Sequence, residues 1–131
     1  MRNIPMTSLS QDWRTPKSLY QALDAEFGFV FDPCPCNGKE PLPFDGLAIE
    51  WASPAYINPP FKGIEKWVRK AYGQFLEGKT CVLLIPSRTD TRWWHNYIMK
   101  ASEIRFIKGR LKYEGAKFDA PFPSCIIVFK P

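Results

Sequence analysis

The most constraining feature of the chain is the run Asn58-Pro59-Pro60-Phe61, set directly after apolar Ala55-Tyr56-Ile57 and before a helical pattern. Two successive prolines fix the backbone and remove two N–H donors, so a strand must stop there. What remains at the turn is rich in acceptors: the Asn58 side-chain oxygen and the Pro59 carbonyl, with the Phe61 ring beside them. A turn between a strand and a helix lies at the carboxyl end of the strand, where open α/β sheets bind ligands.

The rest of the chain supplies the elements such a sheet needs. Thr15-Pro16 predicts a helix start, with Thr15 as N-cap and Pro16 in the first turn, and Leu19, Tyr20, Leu23 and Phe27 at three-to-four spacing. Gly28 ends it. Phe29-Val30-Phe31 reads as a short strand closed by Asp32-Pro33, and Cys34 to Phe44 as loop. A helix is predicted from about Gly63 to Leu76, with Ile64, Trp67, Val68, Ala71 and Phe75 on one face. Cys81–Ile85 and Cys125–Phe129 are nearly continuous apolar runs, the pattern of strands buried on both faces. Arg92–Met99 reads as a helix with Asp90 as its cap, and Ile104–Ile107 as a strand. The order predicts an α/β domain with a mostly parallel sheet, the last two strands pairing antiparallel. All 131 residues are expected to form one domain, residues 1–11 being loose and polar.

Composition excludes several classes. Hydrophobic residues make up 45% and aromatics 15%, which rules out a disordered chain. Of the four cysteines, Cys81 and Cys125 sit in apolar runs, and Cys34-Pro35-Cys36 lacks two further ligands for zinc in a chain with one His. No metal site and no disulfide framework are expected. The N-terminus lacks the apolar core of a signal peptide, so a cytoplasmic protein is expected. Eighteen Lys and Arg against thirteen Asp and Glu leave a net charge of +5, which suits a polyanionic partner without requiring one.

An acceptor-rich turn suits one chemical task. The lone pair of an exocyclic amine on a nucleobase is delocalised into the ring. Two carbonyl acceptors bonding its two hydrogens would pull the nitrogen toward tetrahedral geometry and free the lone pair. Phe61 would stack on a base swung out of its duplex.

Asn58-Pro59-Pro60-Phe61 also resembles the catalytic motif of amino methyltransferases, written as Asp, Asn or Ser, then two prolines, then an aromatic. Thirteen residues upstream, Asp45-Gly46-Leu47 followed by Trp51 resembles the acidic motif that precedes it in adenine methyltransferases. Asp32-Pro33 resembles the first cofactor motif, and Trp13-Arg14-Thr15-Pro16 the N-terminal motif at the cofactor's methionine end. Arg88-Thr89-Asp90-Thr91-Arg92-Trp93, Gly109-Arg110-Leu111-Lys112-Tyr113 and Ala120-Pro121-Phe122-Pro123-Ser124 look like later blocks of the same family. From Asp12 to Phe129 the chain is similar to the phage-type DNA N6-adenine methyltransferases, called phage Dam-like proteins.

The resemblance implies a reduced Rossmann-like fold and S-adenosylmethionine as cofactor. It implies double-stranded DNA as partner, no membrane association, and a phage or prophage origin with action in a bacterial host. Asn58 and Pro59 would hold the amine, with Pro60 and Phe61 completing the motif. Trp13, Thr15, Pro16, Asp32, Pro33, Asp45 and Gly46 would bind cofactor. The chain departs from the pattern in two places. Cys34-Pro35-Cys36-Asn37-Gly38 carries one Gly where the family has a Gly-rich turn, and Gly38–Asp45 is too short for the usual second and third strands. Glu40 is the acid left for the ribose hydroxyls.

No separate recognition domain is expected after Phe129, so sequence specificity is expected from loops such as 88–94 or 108–120, from a second subunit, or to be low. Arg88, Arg92, Lys108, Arg110, Lys112 and Tyr113 are the candidates, with Lys100, Lys117 and Phe118 nearby. Trp93 and Trp94 could stack on bases, although one of two adjacent positions must turn inward. His95 reads as structural. A homodimer would enlarge the surface available to DNA. The competing functions are methylation of N4 of cytosine, of an RNA base or of a protein glutamine amide, and a silent DNA-binding protein that keeps the fold.

Overall fold

The computed structural model describes residues 13–35 and 42–131. Cys36, Asn37, Gly38 and Glu40, and the N-terminal segment expected to be loose, lie outside the described residues. In order the elements are α1 (Lys17–Phe27), β1 (Ala55–Ile57), α2 (Ile64–Leu76), β2 (Cys81–Pro86), α3 (Arg92–Asn96), a 3-10 turn (Ile98–Lys100), β3 (Glu103–Phe106) and β4 (Ser124–Phe129).

The four strands form one sheet in the order β1-β2-β4-β3. β1 pairs parallel with β2, with Ile57 opposite Leu83. β4 lies antiparallel to both neighbours, Pro86 facing Ser124 on one side and Phe106 facing Cys125 on the other. The sheet is therefore mixed in its pairing rather than mostly parallel. The physical reason is the position of β4. Inserted between β2 and β3, it converts two of the three pairings to antiparallel ones, while β1, β2 and β3 share one direction.

Side chains alternate along these strands with a period of two. Ile57, Leu83, Ile85, Cys125, Ile127 and Phe129 enter one core with Val68 and Ala71 of α2 and with Trp93, Trp94 and Ile98. Tyr56, Val82, Leu84, Ile126 and Val128 enter the other, with Leu23 of α1 and with Trp13, Tyr113, Ala120 and Phe122. Both faces are covered, which is why the strands read as unbroken apolar runs. Each fully buried Ile or Leu contributes roughly 1.5–3 kcal/mol.

Four local expectations change. Phe29-Val30-Phe31 is not a strand: Val30 is 63% exposed, and only Phe31 makes an isolated parallel bridge to Ala55. The segment still runs along β1, Val30 N–H donating to Pro54 O (3.0 Å) and Tyr56 N–H to Phe31 O (2.9 Å). Pro16, not Thr15, occupies the cap position of α1, without a side-chain capping bond. The helix ends as expected at Gly28, in the left-handed conformation (φ 66°) that glycine adopts without a steric penalty. Thr91, not Asp90, caps α3: its Oγ1 accepts from Trp94 N–H at 3.2 Å. Asp and Thr cap by the same chemistry, and one residue of register decided between them. The helix read as Arg92–Met99 breaks at Tyr97 and continues as the 3-10 turn.

Candidate active site

β1 delivers Asn58 to the carboxyl edge of the sheet, next to the parallel strand β2. The side chain is 7% exposed, and its Nδ2 donates to the backbone carbonyl of Trp13. That bond fixes the orientation of the amide, with its nitrogen toward Trp13. Behind it, the Cys34 thiol donates to the Asn58 carbonyl at 3.5 Å. Pro59 is buried and Pro60 half-buried.

Phe61 differs from the open shelf expected of it. It is half-buried, stacked on Trp13 with centroids 5.5 Å apart and met edge-on by Phe122 at 5.1 Å. Trp13 in turn packs edge-on against Tyr113 and Phe122 (5.4 and 5.3 Å). Its indole nitrogen is buried and has no hydrogen-bond partner among the described residues. Trp13 thus joins the Asn58–Phe61 turn to the β3–β4 connection.

A cavity of about 270 Å³ opens beside Asn58. Asp32 and Asn58 line it together, with Arg14 and Lys17 as its cations and Tyr20 and Tyr56 as aromatic walls. Thr15 lines it too, its hydroxyl 2.5 Å from that of Tyr56. Thus the Thr15 side chain joins the N-terminal segment to β1 instead of capping α1. Asp32 is half-buried and accepts the Cys34 backbone N–H at 2.9 Å. Burial outweighs that hydrogen bond and pushes its pKa up to about 6. Burial also raises the pKa of the Cys34 thiol and of the Tyr56 phenol, so both stay neutral near pH 7.

Arg14, Lys17, Tyr20, Cys34 and Tyr56 escaped the sequence reading as site residues. Two signals were available. Tyr56 sits two residues before Asn58, on the strand that leads into it, and Tyr20 lies four residues after Pro16, on one side of the first turn of α1.

Asp45 is exposed and closes its own turn, its carboxylate accepting Leu47 N–H at 3.0 Å and its carbonyl Ala48 N–H at 2.9 Å. Gly46 is buried against Pro33, and a Cβ there would lie 2.2 Å from the Pro33 carbonyl oxygen. Trp51 Nε1 donates to Gly46 O at 2.7 Å. Glycine is required here because one turn packs on the other, bringing Asp45-Gly46 against Asp32-Pro33. Gly46→Ala is expected to destabilise the protein by about 1–3 kcal/mol through overpacking, read as a lower midpoint in urea with an unchanged m-value.

The candidate DNA residues separate into two groups. Arg88, Arg92, Lys108, Arg110 and Lys112 are exposed. Tyr113 is not: at 2% exposure it is bonded to Ser124 Oγ (2.9 Å) and faces Trp13, so it anchors the connection from within. Its turned-in ring corrects the expectation of a DNA contact. Trp93 and Trp94 are both buried in the core, and the His95 ring nitrogen lies 2.8 Å from Thr89 O. Lys100 sits over the Tyr72 ring (5.4 Å) and leads into the start of β3, at the sheet edge opposite Asn58. No group of three His, Cys, Asp or Glu side chains lies together among the described residues. None of the described helices is long and apolar enough to cross a membrane.

A family model described as DNA N-6-adenine-methyltransferase (Dam) matches residues 4–125 of the 131. A search of curated proteins gives no match.

Proposed function

The chain belongs to the DNA N-6-adenine-methyltransferase family and is an enzyme that methylates N6 of adenine in DNA, and we propose that the reaction takes place at Asn58–Phe61 with S-adenosylmethionine in the adjoining cavity. The observation that carries this reading is the buried Asn58 amide, oriented by Trp13, on the wall of a cavity it shares with the Asp32 carboxylate.

The residues present fit that cofactor. Its amino-acid end carries a carboxylate and an ammonium, and its sulfonium a positive charge; the cavity offers Arg14 and Lys17 for the first and Asp32 for the cations. When bound, the cofactor supplies a methyl group on a good leaving group. The chain supplies position. Asn58 Oδ1 and the Pro59 carbonyl accept the two amine hydrogens and turn the nitrogen lone pair toward the methyl. The edge of Phe61 left by Trp13 and Phe122 packs against the adenine ring. Thr15 and Pro16 hold the first turn of α1 beside the cofactor's methionine end, with Trp13 behind them. Pro33 and Gly46 lock the two acidic turns together, and Asp45, on the second of them, would accept the cofactor's adenine amine.

The direction shared by β1, β2 and β3, with β4 reversed between the last two, supports reading the sheet as a reduced Rossmann-like methyltransferase sheet. Duplex DNA lies across Arg88, Arg92, Lys108, Arg110 and Lys112. Replacing Lys108, Arg110 and Lys112 by Ala together is expected to weaken DNA binding and reduce the slope of log K against log[salt] by about 2–3. Fluorescence titrations at several salt concentrations read this directly.

Asp32 makes cofactor binding pH-dependent. Above a pKa of about 6 it is ionised and attracts the cofactor's cations; below, it is protonated and the attraction is lost. Calorimetric titration of the chain with S-adenosylmethionine should give a constant affinity above about pH 7. Below about pH 6 the affinity should weaken up to roughly tenfold per pH unit, with proton release on binding near the midpoint. An affinity flat from pH 5 to 8 would remove Asp32 from the site.

A further inference from the structure

Asn58 is 7% exposed and Pro59 is buried, so an adenine still stacked in a duplex cannot reach them. The base must leave the helix, and the gap it leaves is unstable until something fills it. The connection from β3 to β4 carries an exposed aromatic ring where it could. The connection from β3 to β4 begins and ends at the carboxyl edge of β2, because Phe106 faces Cys125 and Ser124 faces Pro86. That is the edge that carries Asn58.

The connection is pinned onto the catalytic motif. Phe122 meets Phe61, Tyr113 meets Trp13, and Glu114 N–H donates to Arg14 O at 2.9 Å. Within it, Ala116 N–H donates to Tyr113 O (3.0 Å) and Ala120 N–H to Leu111 O (2.7 Å). Lys117, Phe118 and Asp119 lie between these two fixed points and are exposed, Phe118 at 67%. A lone exposed Phe is ordinary on a protein surface. Here it stands beside Lys117, in the segment that also carries exposed Lys108, Arg110 and Lys112 and that packs on Trp13 and Phe61 through Tyr113 and Phe122. Phe106, 68% exposed, opens the same connection but is held in the edge strand β3 by its pairing with Cys125, whereas Leu76 and Met99 lie toward the opposite edge, at the end of α2 and ahead of β3.

We propose that Phe118 is a positioning residue for the reaction, an aromatic wedge that enters the duplex beside the target adenine and holds the vacated space while the base sits at Asn58. The cations of the same segment hold the phosphates on either side, and the ring offsets part of the lost stacking. This rests on the reading of Asn58 as the amine site.

The test uses single-turnover methylation at an adenine that the wild-type chain modifies. One duplex presents it paired; a second places an abasic site opposite, so that extrusion is already easy. Phe118→Ala should slow methylation of the paired duplex by about ten- to a hundredfold and stay within about threefold of wild type on the unpaired one. Phe118→Trp should restore the paired rate, and Leu76→Ala should match wild type on both. Equal losses on the two duplexes, or no loss on the paired one, would overturn the proposal. An Asn58→Ala chain that methylates at the wild-type rate would overturn the amine-site reading, and the wedge with it.

Discussion

Asn58→Ala is expected to lower kcat by about a hundred- to a thousandfold, the usual effect of deleting one preorganised hydrogen-bonding group in an active site. The change removes the proposed acceptor for the amine and also the donor that holds Trp13 O. Stability should therefore fall by about 1–3 kcal/mol, because a buried carbonyl loses its partner. Cofactor affinity should change much less than kcat, since Asp32, Arg14 and Lys17 remain. Asn58→Asp separates the two roles. It keeps an acceptor for the amine but loses the donor to Trp13, so its activity should lie between wild type and Ala. Its stability should fall as well, with a carboxylate facing the Trp13 carbonyl.

Asp32→Asn carries the second large effect, and its two parts have opposite signs. The folded pKa of about 6 is raised above the ordinary 3.8, so this group stabilises the fold only while protonated. Its contribution is fully present below about pH 4 and lost as pH rises through about 6. At pH 8 the native state carries a half-buried carboxylate that accepts the Cys34 N–H. Asparagine removes that charge and can still accept the Cys34 N–H. Stability at pH 8 should rise by about 1–3 kcal/mol, with a Tm gain of roughly 5–10 °C that disappears near pH 4. Cofactor affinity should fall by a hundredfold or more, because a cation in a partly desolvated site loses its counter-charge. A protein that becomes more stable as it loses its ligand is the signature of a residue kept for binding.

Much of the site was legible because its pieces are local. Asn58-Pro59-Pro60-Phe61 announces a terminated strand and an acceptor-rich turn within four residues. Asp32-Pro33 and Asp45-Gly46 likewise declare themselves as turns, although the contact between them depends on Gly46 meeting Pro33 across the fold. The antiparallel pairing of the last two strands was legible, but the partner on the other side of β4 was not. Nothing in Cys125–Phe129 shows that it inserts between β2 and β3, and that insertion made the sheet mixed. Phe29-Val30-Phe31 is apolar enough for a strand, but an exposed edge needs only one bridge to hold it. Tyr113 lies among cations and reads as surface; Ser124 and Trp13, both distant in sequence, turn it inward. Arg14 and Lys17 gain meaning only when α1 meets Asp32 across the cavity.

The most direct measurement is transfer of labelled methyl from S-adenosylmethionine to unmethylated duplex DNA by wild type and Asn58→Ala, with the DNA digested and its nucleosides separated. The account predicts label in N6-methyladenine with the wild-type chain and a loss of at least about a hundredfold in the variant. Label in N6-methyladenine at an unchanged rate in Asn58→Ala would contradict it.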